Sequence, residues 1–588
     1  MKRIVVLSLV IVCIAAAATA AGRIDPAISR ESVGMKSYPA PPRLAAAANI
    51  APAVIAGPAD TASIAEVHAW NAEGRLPFQN GFTRVLPELI SVRLTGTVSS
   101  KGGPAAHAGG VVAMSERGIV WSGKFQIDAH RVRLRLDNVR LPAGAVLWVY
   151  NDAGKPIAFD SDLLDPDGGI WAPSVRGGVI HLEIETPMPK SEAEAASFDI
   201  NRFVELIALE AVKPQGAIDD TSCLRDVQCE SASFLHQYKT GVAYLEYIKN
   251  GGGYVCSGGL MNDVDTTTVT PWFLTANHCL STQAAATTLE AYFDWRYLSC
   301  VSTNAPLPEP MRGSTLIATN ASSDFTFLRL SQITGTHWYF GSDPNIPAAG
   351  TTLHRISHPA PDTDGDGFGN PQPQQYSAST LSATVPTCTG AGRPDFIYST
   401  FTAGQGGIYG GSSGSPVFLS TGHIVGQLLG FCGTASTINL GCDTSNKIVD
   451  GALATTWTSI SPFLLGSGTT PPPCVPTQTA LCLNNDRFKV EATFQTGAGQ
   501  SGQANVFKLT NDTGYFWFFS STNVEAVVKV LDACSFNQRF WVFAGGLTDV
   551  QVNVTLTDTK TGSVRTYFNP QGKPFQPIQD TSAFATCP

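Results

Sequence analysis

Three short segments carry residue types that together could attack a carbonyl group. They are Leu274-Thr275-Ala276-Asn277-His278-Cys279, Ser323-Asp324-Phe325-Thr326-Phe327-Leu328-Arg329-Leu330 and Gly410-Gly411-Ser412-Ser413-Gly414-Ser415-Pro416. A serine hydroxyl is a weak nucleophile near neutral pH and needs a base within hydrogen-bond reach to take its proton. His278 has the chemistry of that base, and a carboxylate such as Asp324 can fix the imidazole tautomer and stabilise its charged form. The glycine-rich run offers Ser412, Ser413 and Ser415 as nucleophiles. Its glycines allow a tight turn that directs backbone N–H groups at one point, the arrangement that stabilises an oxyanion. Each segment alone reads equally well as a structural histidine, a turn aspartate or a plain loop. Their joint occurrence, 46 residues from His278 to Asp324 and 89 from Asp324 to Ser413, carries the argument.

The elements that must hold these residues are strands. The chain has 588 residues, 56 glycines and 38 prolines, with 43% hydrophobic and 14% charged positions, enough apolar content for packed cores in a multidomain chain. A net charge of -9 with 38 Lys+Arg argues against nucleic-acid binding. Lys2-Arg3, the apolar stretch 4–18 and the small residues Ala18-Thr19-Ala20 read as a secretory signal over 1–20. Beyond it no apolar run is long enough to span a bilayer, so no membrane attachment is expected after signal removal. The signal takes Cys13 with it and leaves 13 − 1 = 12 of the 13 cysteines, an even set suited to disulfides in an oxidising compartment.

Composition divides the remainder. Residues 21–217 lack cysteine and show strand alternation, with Val132, Leu134 and Leu136 alternating with arginines and Ile180, Leu182 and Ile184 alternating with polar residues. This predicts a small β-sandwich. Residues 218–466 hold eight cysteines and short strands between Gly/Pro/Ser/Thr turns, 467–473 is a Pro/Gly/Thr linker, and 474–588 holds four cysteines and reads as a second β-sandwich.

The three segments, in this order on a β-rich exported chain, resemble the His, Asp and Ser boxes of the chymotrypsin-like serine endopeptidases. The resemblance implies an all-β chain, a chymotrypsin-like double β-barrel flanked by an N-terminal β-sandwich prodomain and a C-terminal β-sandwich. It implies a His278, Asp324, Ser413 triad, with the N–H groups of Gly411 and Ser413 as oxyanion hole. The cysteines and the Gly-Ser-Ser-Gly-Ser-Pro form of the serine box resemble the bacterial lysyl endopeptidase branch. That similarity implies Cys256–Cys279, Cys223–Cys432 and Cys229–Cys300, leaving Cys388 with Cys442.

Two departures matter. Trypsin-like zymogens carry an aspartate just before the nucleophile, where this chain has Ser412. Activation by a new N-terminus pairing with that aspartate is therefore replaced, on this reading, by removal of residues 21–217 as a propeptide near 213–220. Selection of lysine also needs a buried counter-charge. The positions that would carry one in related enzymes are Gly407 and Ile448, and Leu429 stands where the lysyl branch has a histidine, so the pocket reads as uncharged, unless a gap brings Asp443 or Asp450 into it.

Asp362, Asp364 and Asp366 alternate as in the start of a calcium loop, but position twelve is Pro373, so the expectation is at most a structural calcium ion and no required cofactor. Tyr515, Phe516, Trp517, Phe518, Phe519, Phe540, Trp541 and Phe543 could fill a core or offer a subset for a surface or glycan. The expected protein is a monomeric bacterial serine endopeptidase, secreted to the periplasm or medium, with protein or peptide substrates. The rival class is a protease-like binding or adhesion protein without activity.

Overall fold

The computed structural model describes residues 23–31, 36–47, 49–94, 105–187, 195–207, 223–265, 269–361, 370–383, 393–432, 446–465, 474–498, 500–537, 539–560, 564–584 and 586–587. The fold is mostly β, a chymotrypsin-like arrangement with further β-sheets before and after it.

Two closed six-stranded barrels lie in the middle of the chain. In the first, Val242–Lys249 pairs with Gly252–Met261, which pairs with Trp272–Ala276, then Phe325–Leu330, then Ser314–Asn320. Met311–Arg312, just before Ser314, pairs with Glu290–Phe293, which returns to Val242–Lys249 and closes the ring. The second runs through Thr352–Ser357, Gln375–Leu381, Phe396–Phe401, Lys447–Ala452, His423–Cys432 and Pro416–Phe418, back to Thr352–Ser357. Closure removes the unpaired edges that an open sheet exposes. The helix Leu453–Leu464 buries Leu453, Trp457, Ile460 and Leu464, which recur at helical spacing along one face and join a core shared with both barrels.

Residues 78–207 form a separate β core of their own around Trp121, Phe125, Phe198 and Phe203. Its central strand, Gly118–Arg140, sends Val132, Leu134 and Leu136 into that core. The arginines on the opposite phase are buried too. Arg131 donates to Glu246 at 2.6 Å and to the Tyr292 hydroxyl at 3.0 Å, and Arg133 donates to the carbonyl of Thr288 at 2.7 Å. The N–H of Ser174 donates to Glu290 at 3.0 Å. The first barrel thus presents two buried carboxylates, Glu246 and Glu290, to the region before it. Neither would be tolerable there without partners, because an isolated buried charge costs several kcal/mol.

Residues 474–587 form two five-stranded sheets packed on one core, a β-sandwich with disulfides Cys474–Cys482 and Cys534–Cys587. Phe516, Phe518 and Phe540 fill the core, Tyr515, Trp517, Trp541 and Phe543 are half-buried, and Phe519 is exposed. Among the described residues no helix is long and apolar enough to cross a membrane.

Burial pushes the Glu290 carboxyl up, but the fields of Arg133, Arg312 and Arg131 outweigh it and hold it at about 2. A carboxyl held below its unfolded value stabilises the folded chain above that value and stops doing so as pH falls through the folded one. The expected result is that the unfolding free energy of the full chain, read from urea titrations, falls between pH 4.5 and 2 by on the order of 3 kcal/mol from this group. Glu290→Gln should flatten that part of the profile, and identical slopes for the two proteins would exclude the pairing as its source.

Candidate active site

The site lies between the barrels. His278 follows the strand Trp272–Ala276, and Asp324 immediately precedes the strand Phe325–Leu330 that pairs with it. One carboxylate fixes the whole histidine. Asp324 Oδ1 accepts the His278 backbone N–H at 2.9 Å, and Oδ2 lies 2.7 Å from ring Nδ1. The Asp324 carbonyl accepts the N–H of Asn277 at 2.9 Å. With Nδ1–H donating to the carboxylate, Nε2 keeps its lone pair free for a proton. Asp324 adopts φ +53°, the left-handed region that few non-glycine residues enter and aspartate tolerates better than most. The disulfide Cys256–Cys279 fastens the residue after His278 to the neighbouring strand.

The glycine-rich loop supplies the serines from the second barrel. Gly411 and Gly414 have φ of +88° and +78°. A Cβ on Gly411 would meet the His358 carbonyl at 2.6 Å, and one on Gly414 would meet Thr275 Oγ1 at 2.2 Å, so both positions require glycine. The Ser413 carbonyl accepts from Ser257 N–H at 2.7 Å on one side, while Gly414 N–H donates to Leu428 at 2.8 Å on the other. Among the described residues, the N–H groups of Gly411 and Ser413 take part in no backbone hydrogen bond of these turns. Ser412 is buried with its hydroxyl 3.1 Å from that of Ser357, and Ser415 is tied to Arg355. Ser413 is therefore the serine of the three whose hydroxyl is left for chemistry. No hydrogen bond of the described residues joins it to His278, whose Nε2 lies 3.6 Å from Cys279 Sγ.

Several supports were invisible in the three segments. Arg355 donates to the carbonyl and hydroxyl of Ser415, both at 3.0 Å, and to Asp450 at 2.5 Å, with both charged side chains almost wholly buried. Burial pushes the Asp450 carboxyl up and Arg355 opposes this. Gln427 donates to the Ser323 carbonyl at 2.8 Å, and the hydroxyls of Ser323 and Thr456 are 3.1 Å apart. Asp324 is thus braced from both barrels and from the helix. The one signal available in sequence was an arginine within the strand Thr352–Ser357, since a charge in a buried strand implies a partner.

Of the three pocket candidates, two lie together and one apart. Ile448 packs with Phe401, Ile408 and Leu428, and buried Gly407 adjoins that cluster through Ile408. Leu429 instead packs beside Phe396, Tyr398 and Val449. Cys229–Cys300 is joined, and Cys223 and Cys432 are each disulfide-bonded. Cys388, Cys442, Asp443, Asp362, Asp364 and Asp366, the 213–220 cleavage region and the 467–473 linker lie outside the described residues. Among the described residues, Cys256, His278 and Cys279 converge as a metal site might, but both sulfurs are consumed in the disulfide.

Arg355→Leu would leave Asp450 buried without its cation, and the expected loss of stability is about 3–5 kcal/mol. The double variant Arg355→Leu, Asp450→Leu should recover most of it in urea unfolding; no recovery would mean that the pair is not the source of the loss.

Residues 218–446 match the family described as lysyl endopeptidase, C-terminal domain. Among curated proteins, a lysyl endopeptidase of Pseudomonas aeruginosa is 22% identical over 318 residues, which is 52% of this chain and 64% of that protein. This chain thus matches less than two thirds of that relative's length. Among solved structures, one titled HL collagenase is 15% identical, with TM-score 0.27 over 40% of this chain and 95% of its own. The middle region of the chain is therefore similar to the lysyl endopeptidases, with the β-sandwich of 474–587 following it.

Proposed function

We propose that this chain is an exported serine endopeptidase that works through an acyl-enzyme on Ser413. The observation that carries the reading is the His278–Asp324 pair at 2.7 Å beside a loop whose two left-handed glycines leave Ser413 as its uncommitted serine. In the reaction the Ser413 hydroxyl closes on His278, Oγ attacks the scissile carbonyl, and its proton passes to Nε2. The N–H groups of Gly411 and Ser413 receive the oxyanion. His278 returns the proton to the departing amine, and water then repeats the sequence to release the acyl group. Asp324 orients the ring and stabilises its cation, so Asp324→Asn should lower kcat about 10⁴-fold while leaving the fold intact.

The signal and the disulfides support export to an oxidising compartment. Residues 21–217 act as a propeptide cut near 213–220, and Ser412 supports an activation that uses no aspartate switch. The domain of 474–588 is a tethered accessory module for a surface or glycan, and calcium at Asp362, Asp364 and Asp366 has at most a structural part. The mature enzyme works as a monomer on proteins and peptides.

The pocket favours an uncharged residue before the scissile bond. Ile448 is part of an apolar cluster, and Asp450 is already neutralised by Arg355. A desolvated lysine would meet no free carboxylate among these residues, in contrast to what the Pseudomonas aeruginosa relative's name states of it.

Two measurements test this. A serine-directed organophosphate should label Ser413 of the mature protein and not a Ser413→Ala variant; an unlabelled mature protein would support the inactive, adhesive class instead. Cleavage of a peptide library should select apolar residues before the cut, and a dominant lysine preference would overturn the pocket assignment.

A further inference from the structure

The strand Phe78–Arg93 of the N-terminal region crosses into the first barrel. It pairs antiparallel with Gly252–Met261, setting Phe78 opposite Val255, Gln79 opposite Tyr254 and Gly81 opposite Gly253. Phe78 is buried there with Tyr244, Val255, Tyr292, Trp295 and Ala360, all five from the barrel region. Its ring lies directly on Gly410, where an added Cβ would stand 2.5 Å from Phe78 Cδ2. Gly410 adjoins Gly411 of the oxyanion turn, and Val255 reaches within 3.6 Å of a Cβ built on Gly411. The contact is presented rigidly. Trp70 donates to the Pro77 carbonyl at 2.9 Å, and Asn71 hydrogen-bonds both backbone groups of Gln79 at 2.8 and 2.9 Å.

The location assigns this pocket a side of the reaction. The Ser413 loop is held between two strands, Gly252–Met261 through Ser257 and His423–Cys432 through Leu428. On the endopeptidase reading, the acyl half of a substrate pairs as an added strand with the backbone of Leu428 to Phe431 on the latter. The leaving half must then depart past the former, the strand that Cys256–Cys279 ties to His278, the residue that protonates the leaving amine. A strand paired with residues 253–255 lies where that leaving half would run, and it uses the backbone pairing by which extended peptides add to sheet edges. Among the described residues, two buried polar atoms around the pocket, Tyr244 Oη and His358 Nε2, have no hydrogen-bond partner. His358 stacks on Trp295 and touches Tyr244, and burial pushes it down to about 3, so it presents a neutral ring to the pocket.

We propose that Tyr244, Val255, Tyr292, Trp295, Ala360 and Gly410 form a leaving-group-side subsite for an aromatic side chain of the substrate, which Phe78 fills in the precursor. The proposal rests on the endopeptidase reading. It makes the N-terminal region an occupant of the substrate path rather than a cover over it, and removal of that region empties a preformed aromatic pocket one residue from the oxyanion turn.

The test uses enzyme matured from the full chain and quenched peptides that differ only at the first three positions after the scissile bond. The expected result is a kcat/KM about ten- to a hundredfold higher for Phe, Tyr or Trp than for Ala at one of those positions, the worth of burying such a ring. Ala360→Leu, which fills the pocket, should shift that preference toward small residues. A flat profile at all three positions, or an aromatic preference unchanged in Ala360→Leu, overturns the subsite. No hydrolysis of any peptide overturns the endopeptidase reading itself, a different result from hydrolysis without discrimination.

Discussion

The carboxylate of Asp324 sits where three parts of the fold meet, and the candidate site depends on its being held there. It accepts both the backbone and the ring N–H of His278, so moving it would release the base in position and in tautomer at once. Its own backbone is left-handed, which the surrounding structure must over-determine for the conformation to persist. Gln427 from the second barrel and Thr456 from the helix Leu453–Leu464 both grip Ser323, one residue before it. These contacts help couple the two barrels, and the histidine of one is aligned with the serine loop of the other without a hydrogen bond between His278 and Ser413 among the described residues.

The second constraint is buried charge. Arg355 and Asp450 are both withdrawn from water beneath the serine loop, and Glu246 and Glu290 are withdrawn at the face of the first barrel. A buried pair of this kind contributes little net stability relative to apolar residues of the same volume, but breaking it is costly, so it specifies one arrangement strongly. For Arg355 that arrangement is the position of Ser415, two residues from Ser413. For Glu246 it is the docking of Arg131 and Asn80, which brings the strand holding Phe78 to its place. Loss of the N-terminal region would return Glu246 to water, where its charge needs no partner.

Where the sequence was informative, the information was local. The alternation of Val132, Leu134 and Leu136 gave the inward phase of a strand correctly, because period two depends on nothing beyond the strand. It could not show that Arg131 and Arg133 on the other phase would be covered, since that depends on a barrel that begins about a hundred residues later. The same limit separates the residues of the site. His278, Asp324 and the glycine turn are recognisable in their own short segments, whereas Arg355, Gln427 and Thr456 act across separations that no local pattern records. Pocket positions read by offset say nothing of how the strands carrying them pair. Ile448 and Gly407 meet at one apolar cluster, whereas the register shift from Leu428 to Gly430 sends Leu429 to a different one. In the C-terminal sandwich four cysteines allow three connectivities, and only the folded register selects Cys474–Cys482 with Cys534–Cys587.

These two constraints act on the same few residues around Ser413. On one side the loop is anchored to Leu428 and, through Arg355, to Asp450; on the other it is anchored to Ser257. The first anchor pairs Asp450 with Arg355, so on the proposed reading the charge that fixes the Ser413 loop is not offered to a cationic side chain on the acyl side. The second anchor belongs to a strand whose neighbouring residues, Gly253 to Val255, pair with the strand Phe78–Arg93 beside a cluster of aromatic rings, and on the proposed reading they would take up an incoming chain once that strand has left. On the proposed reading, recognition by apolar area falls on both sides of the bond, and buried charge is kept for positioning. That division follows from the physics of a water-excluded cleft, where a fixed ion pair holds its geometry and an unpaired acid would have to await its substrate at the full cost of desolvation.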